Sequence, residues 1–440
     1  MPTPITLRQA ALYWLKLGFV SFGGPAGQIA IMHHDLVEKR RWISEKRFLH
    51  ALNYCMLLPG PEAQQLATYI GWLMHRNWGG TIAGGLFVLP SLAILVALSW
   101  IYMAYGNVPA VAAILYGIKP AVVAIVLFAA WRIGNRALKN SLLWSITAAA
   151  FLAIALFNVP FPYIVLGAAL VGHFGGKLAP DKFRMGNNHK AGGGEHAPAW
   201  IDDDTPTPAH ARFSKVRLLR VAAVGLAIWL GVIGLLCALY GWHGLLTQLG
   251  WFFTKAALLT FGGAYAVLPY VYQGAVQMHG WLTPAQMIDG LALGETTPGP
   301  LIMVVAFVGF VAGWGQAIFG ADNLLAAGAV AATVATLFTF LPSFVFIFLG
   351  GPLVEATHGD LRYTAPLTGI TAAVVGVILN LALFFAYHVM LPRGWGGAVE
   401  WASVAIGLAA VVALFRYKVG VIPLIGACAA AGLVRYLLLS

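Results

Sequence analysis

Charged side chains are scarce in this chain of 440 residues: Asp, Glu, Lys and Arg make up 9% of it, against 60% hydrophobic residues. Soluble globular domains carry about 25% charged residues. The scarcity of charge therefore excludes a water-soluble globular enzyme. Apolar runs of about 20 residues, the length that an α-helix needs to span a bilayer, follow one another and predict an all-α polytopic membrane protein.

Cysteine is also rare, and the signatures of common enzymes are missing. The three cysteines, Cys55, Cys237 and Cys428, all lie within apolar runs, which indicates neither a disulfide framework nor a metal site. The chain contains no HExxH, GxSxG or CxxC motif, the patterns of metalloproteases, serine hydrolases and thiol redox proteins. We therefore expect no enzymatic activity, no metal and no cofactor.

The formal net charge is +11, and the charges concentrate in two polar stretches, 33–47 and 175–217. Between membrane spans, an excess of Lys and Arg is typical of cytoplasmic loops, so we expect no nucleic-acid partner. The stretch 175–217 is rich in Gly, Pro, His and charge, which predicts a flexible cytoplasmic linker. Its histidines, His189, His196 and His210, match no metal-ligand spacing.

The chain contains an internal duplication. Three motifs recur at a constant offset of 239 residues: Phe22-Gly23-Gly24 with Phe261-Gly262-Gly263, Trp42-Ile43-Ser44 with Trp281-Leu282-Thr283, and Pro59-Gly60-Pro61 with Pro298-Gly299-Pro300. Farther along, Leu-Pro-Ser recurs at an offset of 252. We divide the chain into four parts: an N-terminal transporter repeat (1–174), the polar linker (175–217), a connecting transmembrane helix (218–240) and a C-terminal transporter repeat (241–440).

The single helix between the repeats predicts that they have inverted topology. An even number of crossings per repeat plus one extra helix makes the second repeat enter the membrane from the opposite face. If the segments with Phe-Gly-Gly and Pro-Gly-Pro are re-entrant, nearly all basic residues outside the apolar runs fall on one side. We therefore expect a cytoplasmic N-terminus and linker, and a C-terminus outside. The alternative is that the segments with Phe-Gly-Gly and Pro-Gly-Pro also cross the membrane fully, which gives thirteen crossings in all.

The two Pro-Gly-Pro motifs interrupt apolar runs, and proline breaks a helix. Broken helices in a bilayer expose backbone groups that only protein or a water-filled cavity can receive. The half-helix that follows such a break presents free N–H groups and the positive end of its dipole, which suits an anion. Paired breaks in two repeats indicate a transporter's central binding site. We therefore predict substrate binding at Pro59, Gly60, Pro61, Pro298, Gly299 and Pro300; structural kinks are the alternative.

The two Phe-Gly-Gly motifs predict a second pair of unwound turns, because adjacent glycines permit an unwound turn or close helix contact. A hydroxyl precedes each copy, Ser21 in one and Thr260 in the other. We add these hydroxyls and the motifs themselves to the predicted substrate site: Ser21, Phe22, Gly23, Gly24, Thr260, Phe261, Gly262 and Gly263. Simple close packing is the alternative. Ser44 and Thr283, by contrast, are interpreted as structural helix N-caps, with Pro284 and Gln286 completing a capping box.

Charged and hydroxyl side chains flank these motifs within apolar sequence. Lys16 and Lys255 each precede Phe-Gly-Gly by six residues; an intramembrane Lys indicates a functional site, and snorkelling to the interface is the alternative. Glu62 follows the first Pro-Gly-Pro, and Glu295, Thr296 and Thr297 precede the second. We predict that the lysines and threonines bind substrate and that Glu62 or Glu295 couples ion or proton movement; capping of the helix dipole is the alternative for Glu62.

Two copies of Phe-Gly-Gly, Trp-Ile/Leu-Ser/Thr and Pro-Gly-Pro in one chain with a polar linker resemble the chromate ion transporter family in its long, two-domain form. The resemblance implies a secondary transporter in the cytoplasmic (inner) membrane that exports chromate, a tetrahedral oxyanion, draws on an ion gradient and confers chromate resistance. A sulfate or related oxyanion carrier of the same fold and an anion channel remain alternatives. The expected partners are the oxyanion and the lipid bilayer; the oligomeric state, including a homodimer, stays open.

Overall fold

The structure is a computed structural model. It describes residues 4–22, 24–183, 198–261, 263–356, 364–394 and 396–439. Gly23 and Gly262 of the Phe-Gly-Gly motifs and His189 and His196 of the linker lie outside the described residues. Within these ranges the chain is helical, apart from one isolated bridge between Ile43 and Ile201. Seven described helices are long and apolar enough to cross a membrane. The chain is a polytopic membrane protein.

Sixteen α-helices follow one another along the described chain. They are α1 (Leu7–Val20), α2 (Gly24–His33), α3 (Glu45–Cys55), α4 (Glu62–Tyr105), α5 (Pro109–Ala137), α6 (Ser141–Phe157), α7 (Phe161–Leu178), α8 (Lys215–Tyr240), α9 (Leu245–Leu259), α10 (Ala264–Tyr272), α11 (Pro284–Thr296), α12 (Val304–Gly315), α13 (Leu324–Ala356), α14 (Thr364–Met390), α15 (Trp401–Phe415) and α16 (Val421–Leu439). Short π-helical turns, His34–Lys39 and Gln273–Met278, extend α2 and α10.

The second repeat reproduces the elements of the first, and α8 has no counterpart. Helices α1 to α3 correspond to α9 to α11, and the π-helical turns share the 239-residue offset of the motifs. Local capping explains why α3 and α11 begin where they do. The Ser44 hydroxyl accepts a hydrogen bond from the backbone N–H of Arg47 at 3.3 Å, and Thr283 forms a full capping box with Gln286. Both predicted N-caps are confirmed.

Helix α4 corresponds to two elements of the second repeat, because it bends sharply. His75 and Arg76 have non-helical backbone dihedrals within it, so a short first segment (62–74) corresponds to α12 and a long second segment to α13. The helices are interrupted at all four motifs, between α1 and α2, α3 and α4, α9 and α10, and α11 and α12. Helix α4 begins at Glu62, directly after Pro61, which is its N-cap residue.

The last two helices of each repeat pack against the other repeat. Helices α6 and α7 contact α14, and α15 and α16 contact α5. Thr147 on α6 donates to the carbonyl of Ala372 on α14 at 2.7 Å. Tyr116 on α5 donates to the carboxylate of Glu400, the residue before α15, at 2.6 Å. Helices α5 and α14 also contact each other, so the two repeats interlock around a shared apolar core.

The second half of the linker is ordered against the first repeat. Ile201 pairs with Ile43 and is buried, and Asp203 accepts a hydrogen bond from the Ser44 hydroxyl at 2.6 Å. The ring of His210 bonds to the Trp72 carbonyl at 2.9 Å, and burial there lowers the pKa of His210. The flexible loop expected over 175–217 is therefore wrong for the docked segment, which we define as residues 198–211.

Contacts between distant parts of the chain sort into two ends of the molecule. At the end that we name the linker face, the docked segment meets the loop before α3, and His75 donates to the carbonyl of Ile5 at 2.8 Å. At the opposite face, the Gln273 side chain accepts from the backbone N–H of Phe161 at 3.0 Å. Tyr240 at the end of α8 contacts Phe319 after α12 at this same end.

Candidate functional site

The broken segments of the two repeats meet in pairs, and the pairs are reciprocal. The backbone N–H of Gly60 donates to the carbonyl of Thr260 at 2.7 Å, and that of Gly299 donates to the carbonyl of Ser21 at 2.8 Å. We name the contact of 59–61 with 260, 261 and 263 the first crossing and the contact of 298–300 with 21, 22 and 24 the second crossing; the word here means two chain segments that meet, not a passage through the membrane. Because both bonds use the same offset of 239 residues, each Pro-Gly-Pro of one repeat is held by the Phe-Gly-Gly segment of the other.

Glycine is required at the centre of each crossing. Gly60 has φ +125° and Gly299 has φ +106°, which side chains rarely adopt. A Cβ at Gly60 would collide with the hydroxyl of Ser343, and one at Gly299 would lie 2.6 Å from Cβ of Ser91. Ser91 and Ser343 are themselves equivalent residues of the duplicated Leu-Pro-Ser. Each crossing therefore contains a glycine backbone against a buried serine of the opposite repeat.

Polar atoms without partners surround both crossings. At the second crossing, the Ser21 hydroxyl, the Ser91 hydroxyl and the Gln28 carbonyl oxygen have no hydrogen-bond partner among the described residues, although all three residues are fully buried. At the first crossing, the side-chain carbonyl oxygens of Gln64 and Gln65 also have no hydrogen-bond partner among the described residues, and both residues are fully buried. A buried polar group without a partner costs about 1–3 kcal/mol, so these groups are suited to hold water or a polar ligand.

A cavity of about 220 Å³ adjoins the second crossing. It is lined by Phe22 and Gly24 from one segment, by Glu295, Thr297 and Gly299 from the other, and by the start of α16 at 420–423. Its volume is several times the roughly 30 Å³ that one water occupies in the liquid. The cavity is thus large enough for a small inorganic ion with part of its hydration.

The two candidate coupling carboxylates occupy different environments. Glu295 accepts a hydrogen bond from the Tyr265 hydroxyl at 2.6 Å and lines the cavity. Glu62 lies in the first turn of α4, where its charge suits the helix dipole. Thr296 and Thr297 bond back to the carbonyls of Leu293 and Gly294 at 2.9 and 3.0 Å. These threonines therefore complete the last turn of α11, and Thr297 also reaches the cavity wall.

The structure does not bring Lys16 or Lys255 to the crossings. Both are exposed on the outer side of their helices. Lys16 lies among the exposed apolar residues Leu12, Leu15 and Phe19, and the Lys255 ammonium lies 5.6 Å from the centre of the Trp251 ring. A Lys on an apolar, lipid-facing helix surface snorkels to the interface, so their placement favours the alternative to substrate binding.

Two arginines that the sequence indicated only as loop bases act on the carboxylates at the crossings. Arg132 interacts electrostatically with Glu295 and Tyr265, and Arg136 with Glu62. Both lie in the last two turns of α5. No ion pair of either carboxylate is found within 4 Å among the described residues. The i, i+4 spacing of the arginines, which puts both on one helix face, was the available sequence signal.

Two further clusters of charge were also missed. In the linker-face cluster, Glu355 accepts from Tyr69 at 2.6 Å and lies 3.7 Å from Arg47. In the opposite-face cluster, Asp289 accepts from Tyr102 at 2.9 Å and lies 3.4 Å from Lys119. Each cluster joins α3 or α11, which precedes a Pro-Gly-Pro, to a helix of the other repeat. Intramembrane carboxylates were the available signal. No group of three possible metal ligands is found among the described residues.

Comparison with known proteins shows the same division of the chain into two repeats. The family model described as chromate transporter matches the chain twice, over residues 8–173 and 247–433. The chain is 31% identical to the chromate transport protein of Cupriavidus metallidurans over 437 residues, which are 99% of this chain and 94% of that protein. It is 33% identical to the chromate transport protein of Pseudomonas aeruginosa over 439 residues, 98% of this chain and 93% of that protein.

A shorter relative matches about a third of this chain, a length comparable to one repeat. The uncharacterized transporter YwrA of Bacillus subtilis is 27% identical over 157 residues, which are 88% of that protein and 35% of this chain. No solved structure matches the chain. The two family matches leave out the linker and α8, the parts that have no counterpart in the duplication. With both repeats matched and relatives above 30% identity along nearly the whole chain, this protein belongs to the chromate transporter family.

Proposed function

We propose that the protein is a secondary carrier that exports chromate across the cytoplasmic membrane and so confers chromate resistance. The observation that carries the proposal is the double match of the chromate transporter family to both repeats. The geometry supports a small polar substrate, since buried polar groups without partners surround two broken-helix crossings beside a cavity of about 220 Å³. Chromate is a tetrahedral dianion, and helix N-termini and free N–H groups suit such an ion.

The repeats are proposed to be inverted, with α1–α2, α3 with the first segment of α4, α9–α10 and α11–α12 re-entrant. Contacts at the two faces support this. The start of α1 and the bend of α4 meet at the linker face through Ile5 and His75, and the ring of His75 also lies 6.0 Å from that of Trp200 in the docked segment. In the second repeat, α9 contacts the loop before α11 through Phe252 and Trp281. The linker face, rich in Lys and Arg, is the cytoplasmic one, and the C-terminus is outside.

The substrate is proposed to bind at the two crossings. Candidate groups are the hydroxyls of Ser21, Thr260 and Thr297, together with the backbone of the motifs at the breaks. Gln28, Gln64 and Gln65 add amide groups that the sequence motifs did not include. Lys16 and Lys255 are proposed to anchor α1 and α9 at the interface instead. A carrier built in this way expels or admits its ion as the crossings open to one face and then to the other.

Transport is proposed to be coupled to protons through Glu295 or Glu62. A carboxylate at a helix break inside a membrane can bind and release a proton as its surroundings change. Glu295 is the stronger candidate, because it lines the cavity and shares a hydrogen bond with the buried Tyr265 hydroxyl. A proton on Glu295 would remove a negative charge from the cavity that the anion enters.

Chromate accumulation in cells with and without the protein tests the proposed function. We expect lower accumulation in cells that express it, with sulfate and molybdate as competitors that report selectivity. Unchanged accumulation would contradict export. Sulfate competing as well as chromate itself would favour a general oxyanion carrier. Electrical recording separates a carrier from a channel, because large unitary currents would show a pore.

A further inference from the structure

The guanidinium groups of Arg132 and Arg136 are the observation from which the inference begins. Both side chains lie four residues apart on one face of α5, near its end. Arg132 is half-buried and Arg136 is exposed. Among the described residues neither makes a side-chain hydrogen bond or an ion pair within 4 Å. The half-buried guanidinium of Arg132 therefore lacks the partner that a partly buried charge normally has, whereas the exposed guanidinium of Arg136 is free to bind solvent or a ligand.

The packing of α5 against α16 places Arg132 next to the cavity. The two helices are antiparallel at a close contact: Gly432 approaches the carbonyl of Ala113, and Gly117 approaches that of Cys428. From this contact, α16 reaches Val421, which lines the cavity, after about eleven residues. Gly117 faces Gly432 at this contact. Eleven residues along α5 from Gly117, toward its C-terminal end, reach residue 128, which is about one turn from Arg132. Arg132 therefore lies about one helical turn beyond the level of the cavity wall formed by 420–423.

The carboxylates at the crossings are within electrostatic range of these two arginines. Arg132 acts on Glu295 and on the Tyr265 hydroxyl that holds it, while Arg136 acts on Glu62. Arg132 and Arg136 therefore add positive potential at Glu295 and Glu62, although no ion pair within 4 Å joins either arginine to either carboxylate among the described residues. The end of α5 lies at the linker face, because Asn140, just beyond it, donates to the carbonyl of Lys182 at the start of the linker at 2.8 Å.

We propose that Arg132 and Arg136 form a binding site for a tetrahedral oxyanion on the linker-face side of the crossings, with Glu295 and Glu62 as competing partners of the two guanidiniums. A guanidinium donates two parallel hydrogen bonds to an oxyanion, as it does to a carboxylate. When the anion occupies the site, its negative charge offsets the positive potential of the guanidiniums at the two carboxylates, which favours protonation of the carboxylates. Anion binding and proton uptake are thereby linked at the same four side chains. This inference rests on the proposed function.

Transport by the full-length protein in proteoliposomes tests the site from the linker face. We expect Arg132→Gln to raise the KM for chromate at that face by about tenfold or more, the effect of losing a hydrogen bond to a charged group. Arg136→Gln should act in the same direction. Arg132→Lys keeps the charge but not the paired donors, so its KM should lie between those of the wild type and Arg132→Gln. Lys139→Gln, an exposed base just after α5, is the matched control and should stay within about twofold.

Chemical rescue keeps the test independent of folding. Arg132→Cys treated with a thiol reagent that carries an ammonium group should recover part of the low KM, and chromate should slow the labelling. Treated wild type controls for the three native cysteines. Wild-type KM in both glutamine variants, or labelling that chromate does not slow, would overturn the site while chromate transport stands. A wild type that moves no chromate would instead contradict the proposed function.

Discussion

The two crossings have the same backbone and different polar side chains. Gly60 and Gly299 donate equivalent hydrogen bonds across the repeats. At the first crossing, the polar groups Glu62, Gln64 and Gln65 follow the break, and their counterparts in the second repeat are Leu301, Met303 and Val304. At the second crossing, Glu295 and the threonines precede the break, where the first repeat has Met56, Leu57 and Leu58. The duplicated scaffold is symmetric, and the chemistry placed on it is not.

This difference indicates that the two halves have separate tasks. The cavity and the Tyr265–Glu295 hydrogen bond belong to the second crossing, while the fully buried glutamines belong to the first. The faces differ in the same way: the first repeat carries the docked linker segment at its face, and the opposite face instead has an ion pair between the half-buried Lys119 and the buried Asp289. Substitutions made in equivalent pairs can therefore separate what is shared from what is not.

The largest effect is expected at the shared backbone. Gly60→Ala and Gly299→Ala should each reduce chromate transport by at least tenfold, because the strained φ and the overpacking together cost about 2–5 kcal/mol. Transport normalised to the amount of protein in the membrane measures this. Gly167→Ala on α7, where an added Cβ meets no atom within 4 Å, is the matched control. A normal rate in either crossing variant would mean that the two crossings are not equivalent in backbone.

The next largest effect should separate the carboxylates. Glu295→Gln is expected to abolish the dependence of transport on an imposed pH gradient, because it removes the only titrating group that lines the cavity among the described residues. Glu62→Gln should retain that dependence with a reduced rate. Asp322→Asn, an exposed carboxylate at the opposite face, controls for a general change in charge. If Glu62→Gln abolishes the pH dependence and Glu295→Gln retains it, coupling belongs to the first crossing. Unchanged pH dependence in both variants would reject proton coupling through either carboxylate.

A smaller effect on stability should distinguish the two faces. Asp289→Asn leaves the half-buried Lys119 without its ion pair and should lower the stability in detergent by about 2–3 kcal/mol. Glu355→Gln should cost less, because the guanidinium of Arg47 also donates to the carbonyl of Thr205. Adding Lys119→Met to Asp289→Asn should recover part of the loss, since no unpaired charge then remains. Thermal unfolding measures all four proteins, and equal losses at both faces would contradict the comparison.

The smallest effect is expected for the exposed lysines. Lys16→Gln and Lys255→Gln should change the KM for chromate by less than about twofold, because both side chains lie on the outer surface of their helices. The same transport measurement serves here, with Arg132→Gln as the positive comparison. A tenfold rise in KM for either lysine variant would return that lysine to the substrate site and contradict snorkelling.

The helix breaks could be predicted from the sequence because their causes are local. Proline removes a backbone donor wherever it stands in a helix, and the offset of 239 residues shows that both copies break alike. The N-caps at Ser44 and Thr283 are local in the same sense. The exposed placement of Lys16 and Lys255 could not be predicted, because an apolar run does not show which side of a helix meets lipid.

Contacts between distant residues were beyond such reasoning. Nothing in either motif says that Gly60 meets Thr260, since that contact depends on how the repeats are placed in space. The docking of the linker segment could not be predicted, because Ile201 pairs with Ile43, which lies more than 150 residues earlier in the chain and outside any local pattern. The relation of Arg132 to Glu295 was beyond local patterns for the same reason, because it arises from the packing of α5 against α11 and α16.

The exchange of helices between the repeats sets an order for biogenesis. Helices α6 and α7 pack on α14, which the ribosome completes only at Met390, long after Leu178 has entered the membrane. Until then the buried faces of α6 and α7 contact lipid or an insertion factor. The first repeat therefore stays incompletely packed in the bilayer during synthesis. Its final packing is reached only after α14 has been made. A stop anywhere before α14 leaves a product in which α6 and α7 lack their main packing partner.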